Sequence, residues 1–314
     1  MIDKHPLASL PAEISPAEFD ALREAPGRWL PIMAGIASRY SAAPARAPDD
    51  GTALVALVGD GLVVKLYPPF LRDHCEFEAA VLHHLEGRLE VPTPRLLDRL
   101  EHQGWPGHVI SQLPGTPLDR VWPALTESNR CALLASLGGL AAQVHSLPVG
   151  SLAPLAPPWP QFLQQQRAGC LRRQSRTGLP AQLLAQLAAF ISGPVPSGPD
   201  VLLTGEYTPF NLLVAPGPSG DMALSGMFDF GDGLVGPAAY DWLGPLCFLA
   251  AGHRARREAW FAGYGIATPD WPAQRLQLLR LLLLHRYSAL RSQIACPGWE
   301  AAASFEDLAA LAWP

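Results

Sequence analysis

Charge is scarce in this chain: Asp, Glu, Lys and Arg make up 16% of its 314 residues. The 28 acids outnumber the 23 Lys and Arg, giving a formal net charge of -5, and no Lys/Arg-rich block occurs. Nucleic-acid binding needs a basic patch to displace counterions, so a DNA or RNA partner is not expected. Cys-x-x-Cys is also missing. The five cysteines (Cys75, Cys131, Cys170, Cys247, Cys296) are odd in number and far apart, which argues for a reduced, cytoplasmic setting. The first residues, Met-Ile-Asp-Lys-His-Pro, lack the apolar run of a secretory signal. The most apolar window, 276–294, is interrupted by Arg280, Arg286 and Arg291 and so reads as a buried helix, with no membrane partner expected. No Gly-x-Ser-x-Gly elbow is present, and no repeat recurs at a solenoid period.

What the chain does have is apolar residues, 49%, and 33 prolines. The length suits two moderate domains or a two-lobed unit. The prolines fall between periodic apolar segments, which fits many short connections better than disorder. Residues 16–40 carry two helical patterns, the first capped by Ser15. Two apolar runs, 53–58 and 62–67, flank Asp60-Gly61, whose glycine accepts the positive φ of a two-residue hairpin turn. Lys65 is a lone cation inside the second run, and a buried ammonium needs a partner. A helix over 71–85 follows, then strands over 95–100 and 107–113. Beyond these, helices are expected over 126–145, 159–173, 180–191, 242–251, 255–264, 272–294 and 305–312. His145 reads as a packed or hydrogen-bonded helix residue.

The most informative stretch is 202–241. Short apolar runs at 201–203, 212–214 and 223–228 flank polar segments, so the polar groups sit at strand ends. Glu206, Asn211 five residues later, and Asp229 after the next strand can converge on one point. Phosphoryl transfer from a nucleotide uses such a trio: a base for the acceptor hydroxyl, with an amide and a carboxylate for Mg²⁺.

These residues carry a resemblance. Thr204-Gly205-Glu206-Tyr207-Thr208-Pro209-Phe210-Asn211, Phe228-Asp229-Phe230-Gly231 and Gly236-Pro237-Ala238-Ala239-Tyr240-Asp241 resemble the motifs of the aminoglycoside phosphotransferase and choline kinase-like family. That family's catalytic segment runs His-Gly-Asp-Leu-His-Pro-Gly-Asn, so its Asp falls on Glu206, its first His on Thr204 and its small residue on Phe210. Glu78-Ala79-Ala80-Val81-Leu82 is similar to the family's Glu-Ala-Ala-Leu-Leu, and 137–147 to its Leu-x-x-Leu-His-x-Leu.

The resemblance implies an α+β, two-lobed protein-kinase-like fold. It has a small lobe at 1–113 with an antiparallel sheet, one key helix and a helical extension at 16–40, and a larger, mainly helical lobe at 114–314. It implies ATP and Mg²⁺ as cofactors and a small-molecule hydroxyl as acceptor. Lys65 would hold phosphates and Glu78 would orient it; the turn at Gly51 and Thr52 would cover the phosphates, and backbone groups from Ser111 to Leu113 would meet the adenine edge. Asn211 and Asp229 would ligate Mg²⁺, Glu206 would take the acceptor proton, and Asp241 would brace the catalytic loop. Between His253 and Ile294 stand seven arginines (Arg254, Arg256, Arg257, Arg275, Arg280, Arg286, Arg291) against Glu258 and Asp270, a balance that disfavours a polycationic acceptor. The departures at 204, 206 and 210 leave a second reading, a nucleotide-binding pseudokinase or regulatory module.

Overall fold

The computed structural model describes residues 7–48, 51–59, 61–205, 207–218, 220–268 and 270–314. The described residues form two compact units. The first draws on Met1–Arg88, Pro92–Pro114 and the short return segment Phe228–Gly231, the second on Leu89–Val91, Gly115–Met227 and Asp232–Pro314.

In the first unit, strands β1 (Ala45–Arg46), β2 (Leu54–Val58), β3 (Leu62–Leu66), β4 (Leu96–His102) and β5 (Trp105–Ser111) form one sheet in the order β1-β2-β3-β5-β4. All its pairings are antiparallel. Successive side chains point to opposite faces, and β2 accordingly buries Leu54, Ala56 and Val58. These three share one core with Trp29, Met33 and Ile36 of helix α2 (Pro26–Ala37) and Phe19 of α1 (Pro16–Arg23). Ser15 caps α1 in a reciprocal capping box with Glu18. Helix α3 (Arg72–Leu85) follows β3 and buries Phe77, Glu78, Val81 and Leu82. The hairpin turn differs from the sequence expectation. Val58 pairs with Leu62, so residues 59–61 make the connection, and the positive φ, 56°, falls on Gly59 while Gly61 has none. Asp60 lies outside the described residues, as do Asp49 and Asp50.

The second unit runs through β6 (Thr116–Pro117), α4 (Leu118–Val121), α5 (Glu127–Ser146), α6 (Trp159–Arg176) and α7 (Ala181–Ile191). After these come β7 (Asp200–Leu203), β8 (Leu212–Pro216), β9 (Met222–Met227) and β10 (Leu234–Pro237). Helices α8 (Ala239–Phe248), α9 (Arg254–Tyr264), α10 (Trp271–Leu283), α11 (Leu290–Gln293) and α12 (Phe305–Ala312) complete it. The sheets here are small: β6-β8-β9 and β7-β10. Periodicity misses β10, since Gly236 and Pro237 are poor strand residues; pairing with 200–203 of β7 supplies what propensity does not.

The single helix expected over 272–294 is broken in two. His285 Nδ1 accepts the Tyr287 N–H at 3.2 Å, diverting a donor that a continuing helix would need. Of the seven arginines, Arg256 and Arg257 are buried, Arg254 and Arg291 are exposed, and the other three are half-buried. Arg256 makes two 2.7 Å hydrogen bonds to the Glu127 carboxylate, Arg257 sits 4.3 Å above the Trp271 ring, and Arg280 and Arg291 donate to the Phe190 and Gly178 carbonyls. No single helix among the described residues is long and apolar enough to cross a membrane.

Helices α5 and α9 touch through glycine. A Cβ on Gly263 would lie 1.9 Å from the Ala135 carbonyl oxygen, and one on Gly138 would lie 2.3 Å from that of Trp260. Backbone cannot yield as a flexible side chain does, so Gly263→Ala is expected to destabilise the protein by about 2–3 kcal/mol through overpacking. A lowered urea midpoint checks this; an unchanged one would mean the helices separate freely.

Candidate active site

Lys65 lies on β3 with its side chain buried. Its Nζ is 2.9 and 2.8 Å from the two Glu78 oxygens and 2.9 Å from Asp229 Oδ1. Burial alone would pull the ammonium's pKa down, but the Asp229 and Glu78 carboxylates more than reverse this and hold it well above the ordinary lysine value. Glu78 shows the mirror image. Burial pushes its pKa up, yet the charge of Lys65 and the hydrogen bond from His108 hold it well below the usual carboxylate range.

Two residues that sequence reasoning did not single out complete this cluster. Tyr67, two positions beyond Lys65 and so on the same face of the strand, donates its hydroxyl to Glu78 Oε2. His108 stands opposite Lys65 in the β3–β5 register and is 2.7 Å from the same oxygen. A carboxylate only accepts, so His108 Nε2 carries the proton; Nδ1 faces the Cys75 sulfur at 3.6 Å. Burial first, then the Glu78 charge, pushes the Cys75 thiol up to about 12, so it stays protonated. The Phe230 N–H also donates to Glu78, at 3.1 Å. Asp229 has φ 69°, a left-handed conformation that Asp tolerates better than most residues. The turn thereby presents the Asp229 carboxylate to Lys65 and the next N–H to Glu78.

Other candidates in this unit are less committed. The Gly51 carbonyl accepts from Arg23, and Thr52 is exposed. Ser111 is engaged with Arg95: its N–H donates to the Arg95 carbonyl and its hydroxyl accepts the Arg95 N–H, both at 2.9 Å. Gln112 N–H goes to the Gly61 carbonyl. Leu113 makes no main-chain hydrogen bond among the described residues.

A second buried carboxylate organises the other unit. Asp241, in the first turn of α8, accepts from Thr204 N–H at 2.9 Å, Gly205 N–H at 3.0 Å and the Thr204 hydroxyl at 3.3 Å. His145 bridges Asp241 Oδ2 at 3.1 Å and the Tyr264 hydroxyl at 2.8 Å, so it is a hydrogen-bonded helix residue. Gly205 has φ 85°, and a Cβ there would meet the Asp232 carbonyl oxygen at 2.7 Å. The loop at 204–205 is therefore pinned from both sides. Asn211 closes the following turn through its N–H to the Thr208 carbonyl, 3.2 Å. Glu206 lies outside the described residues.

Beside this loop is a cavity of about 350 Å³, whose wall includes Thr208, Phe210, Phe248, His285, Tyr287 and Gln293. No Asp, Glu, Lys or Arg stands among its described lining residues.

The family model for the phosphotransferase enzyme family matches residues 45–276, most of the chain. The protein is a member of that family. No curated protein matches the chain. Among solved structures, the GDP complex of wild-type aminoglycoside 2'-phosphotransferase-IIIa superimposes on this phosphotransferase with TM-score 0.66 and 17% identity, covering 83% of this chain and 89% of that one. A GDP and kanamycin complex of an APH(2'') enzyme gives TM-score 0.68 and 17% identity, with 84% and 90% covered. APH(3'')-Id from Streptomyces rimosus, with ADP and streptomycin, gives 0.58 and 19%, with 82% and 98% covered. The phosphotransferase thus has the mixed, antiparallel-sheet, kinase-like architecture that its sequence motifs implied.

His285 offers a pH test of the loop packing. Burial foremost, with the nearby Arg286 charge second, lowers its pKa to about 3, while in the unfolded chain it titrates near 6.5. Between those values the unfolded state binds a proton that the folded phosphotransferase refuses, so the His285 contribution is present above about pH 6.5 and lost as pH falls toward 3. Urea midpoints of the parent are expected to fall more steeply over this window than those of His285→Gln; parallel curves would mean that His285 titrates freely.

Proposed function

We propose that this family member transfers the γ-phosphoryl group of ATP, with Mg²⁺, to a hydroxyl of a small molecule that is not a polycation. The observation that carries the reading is the buried ammonium of Lys65, fixed between Glu78 and Asp229, in a chain that belongs to a phosphotransferase family. The solved neighbours were captured with GDP, ADP or ATP, which supports a nucleotide as donor. Residues 1–113 would serve as the nucleotide-binding lobe and 114–314 as the catalytic and acceptor lobe, and the cysteine spacing supports a cytoplasmic location.

In this reading Lys65 binds the α and β phosphates, and Glu78, held by Tyr67 and His108, keeps the ammonium in place. The backbone at Gly51 and Thr52 covers the phosphates. Leu113, whose main-chain groups have no partner among the described residues, would meet the adenine; the Ser111 backbone donor is already spent on Arg95, which leaves Ser111 its carbonyl. Asn211 and Asp229 would hold Mg²⁺. Both offer the hard oxygen donors this ion prefers, and two carboxylates share one ammonium around Lys65. The ion would supply positive charge to the phosphoryl oxygens. Glu206 accepts the acceptor's proton, and Asp241 keeps the backbone of Thr204 and Gly205, just ahead of it, in one conformation. The acceptor is not read from the arginines, several of which are tied to groups of the protein itself; its support is a cavity wall with no charged residue among those described.

ADP release with Mg-ATP over a panel of hydroxylated metabolites and antibiotics tests the reading. Asp229→Ala is expected to lower turnover by about 1,000-fold, and Glu206→Asp to preserve or raise it. Parental turnover in Glu206→Gln would remove that carboxylate from the mechanism. Thermal stabilisation by Mg-ATP with no ADP release on any acceptor would favour the nucleotide-binding module instead.

A further inference from the structure

The cavity of the second unit has nearly exhausted its polar side chains. His285 Nδ1 accepts from Tyr287 N–H, and a second backbone hydrogen bond links the ring to Gly205. The ring also stacks on Tyr240, with centroids 4.6 Å apart. The Tyr287 hydroxyl donates to Asp232 at 2.6 Å, and that carboxylate also faces Arg286 at 3.4 Å. Ser292 donates to the Ala289 carbonyl. Gln293 accepts the Ala289 N–H through Oε1 at 3.0 Å, which leaves its NH₂ as the remaining donor. Thr208 is buried and its hydroxyl has no partner among the described residues. The rest of the wall is apolar, including Leu243, Leu282 and two aromatic rings. Phe210 stands 55% exposed, edge-to-face with Phe248 at 5.7 Å and 82°.

We propose that this cavity takes the acceptor, and that the acceptor is an uncharged, ring-bearing alcohol of modest size, packed against Phe210 and Phe248 and met by the Gln293 amide. The inference rests on the phosphotransferase reading above. A cavity of about 350 Å³ lies at the small end of ligand sites, which span roughly 300–1,000 Å³. An ammonium placed there would lose its water and meet no carboxylate among the described wall residues. An aromatic cage could substitute, but the edge-to-face pair already spends one ring's face on the other's edge, and a cation needs open faces. A molecule with many polar groups would leave most of them unpaired, since the wall offers few. Phe210 therefore acts as a specificity residue, filling with a ring the place where the family motif has a small residue.

The test is saturation-transfer NMR on the full chain at pH 7 with 2-phenylethanol, its ammonium counterpart 2-phenylethylamine, choline and kanamycin. 2-Phenylethanol is expected to bind at least tenfold more tightly than any of the three cations. Phe210→Ala, at an exposed position, should weaken it about fivefold, and Gln293→Leu should weaken it further. Ser292→Asp, which adds a carboxylate to the exposed rim, should shift preference toward 2-phenylethylamine about tenfold; thermal melts confirm that each variant is folded. Tighter binding of kanamycin or choline that Phe210→Ala weakens would overturn the proposal, as would alcohol binding indifferent to Phe210→Ala and Gln293→Leu. Adding Mg-ATP separates the two readings. Phosphate transfer to kanamycin and not to the alcohol refutes this acceptor class and leaves the phosphotransferase reading standing; selective alcohol binding without transfer to any acceptor does the reverse.

Discussion

The first unit is built around a buried ammonium. Lys65 is one of only two lysines in the chain, and its side chain lies among apolar strand residues where an isolated charge would be prohibitively costly. Two carboxylates make it tolerable, and each carboxylate is itself held. Glu78 receives Tyr67, His108 and the Phe230 N–H, while Asp229 reaches the ammonium from a left-handed turn. Strand register, helix α3 and the return segment 228–231 are thereby tied to a single electrostatic solution. The depressed pKa of Glu78 and the raised pKa of Lys65 are two views of that pairing.

The second unit repeats the device with a different carboxylate. Asp241 is buried and accepts two backbone N–H groups and a hydroxyl from 204–205, with His145 behind it. In both units a buried carboxylate collects main-chain donors that would otherwise be orphaned, and so fixes a short irregular segment next to motif residues. Irregular backbone is where a protein can aim polar groups, and it is also where backbone hydrogen bonds are hardest to satisfy. A buried carboxylate meets both requirements.

Several of the scarce charges are tied to other groups of the protein. Arg256, Arg257, Arg280, Arg286 and Arg291 hold carboxylates, aromatic rings or carbonyls. A count of arginines along the C-terminal helices consequently says little about the acceptor. What does bear on it is a cavity wall with no charged residue among those described, a property that emerges only when residues from the 205–210 loop, α8 and the α10–α11 break come together.

The sequence alone determined what depends on near neighbours along the chain. Helix phase, the capping box at Ser15, the two strands around the 59–61 connection, and the spacing of the Glu206, Asn211 and Asp229 motif are local, and they sufficed for the kinase-like architecture and the family. The Lys65–Glu78 pairing was legible because it joins consecutive elements. Tertiary structure alone decided the rest. His108 comes to Glu78 through strand register, Asp241 to 204–205 across 36 residues, and the 272–294 helix breaks because a side chain takes a backbone donor. Composition records which groups a chain carries, but whether a charge faces a partner or an empty cavity is set by contacts between residues far apart in sequence, and periodicity does not encode those.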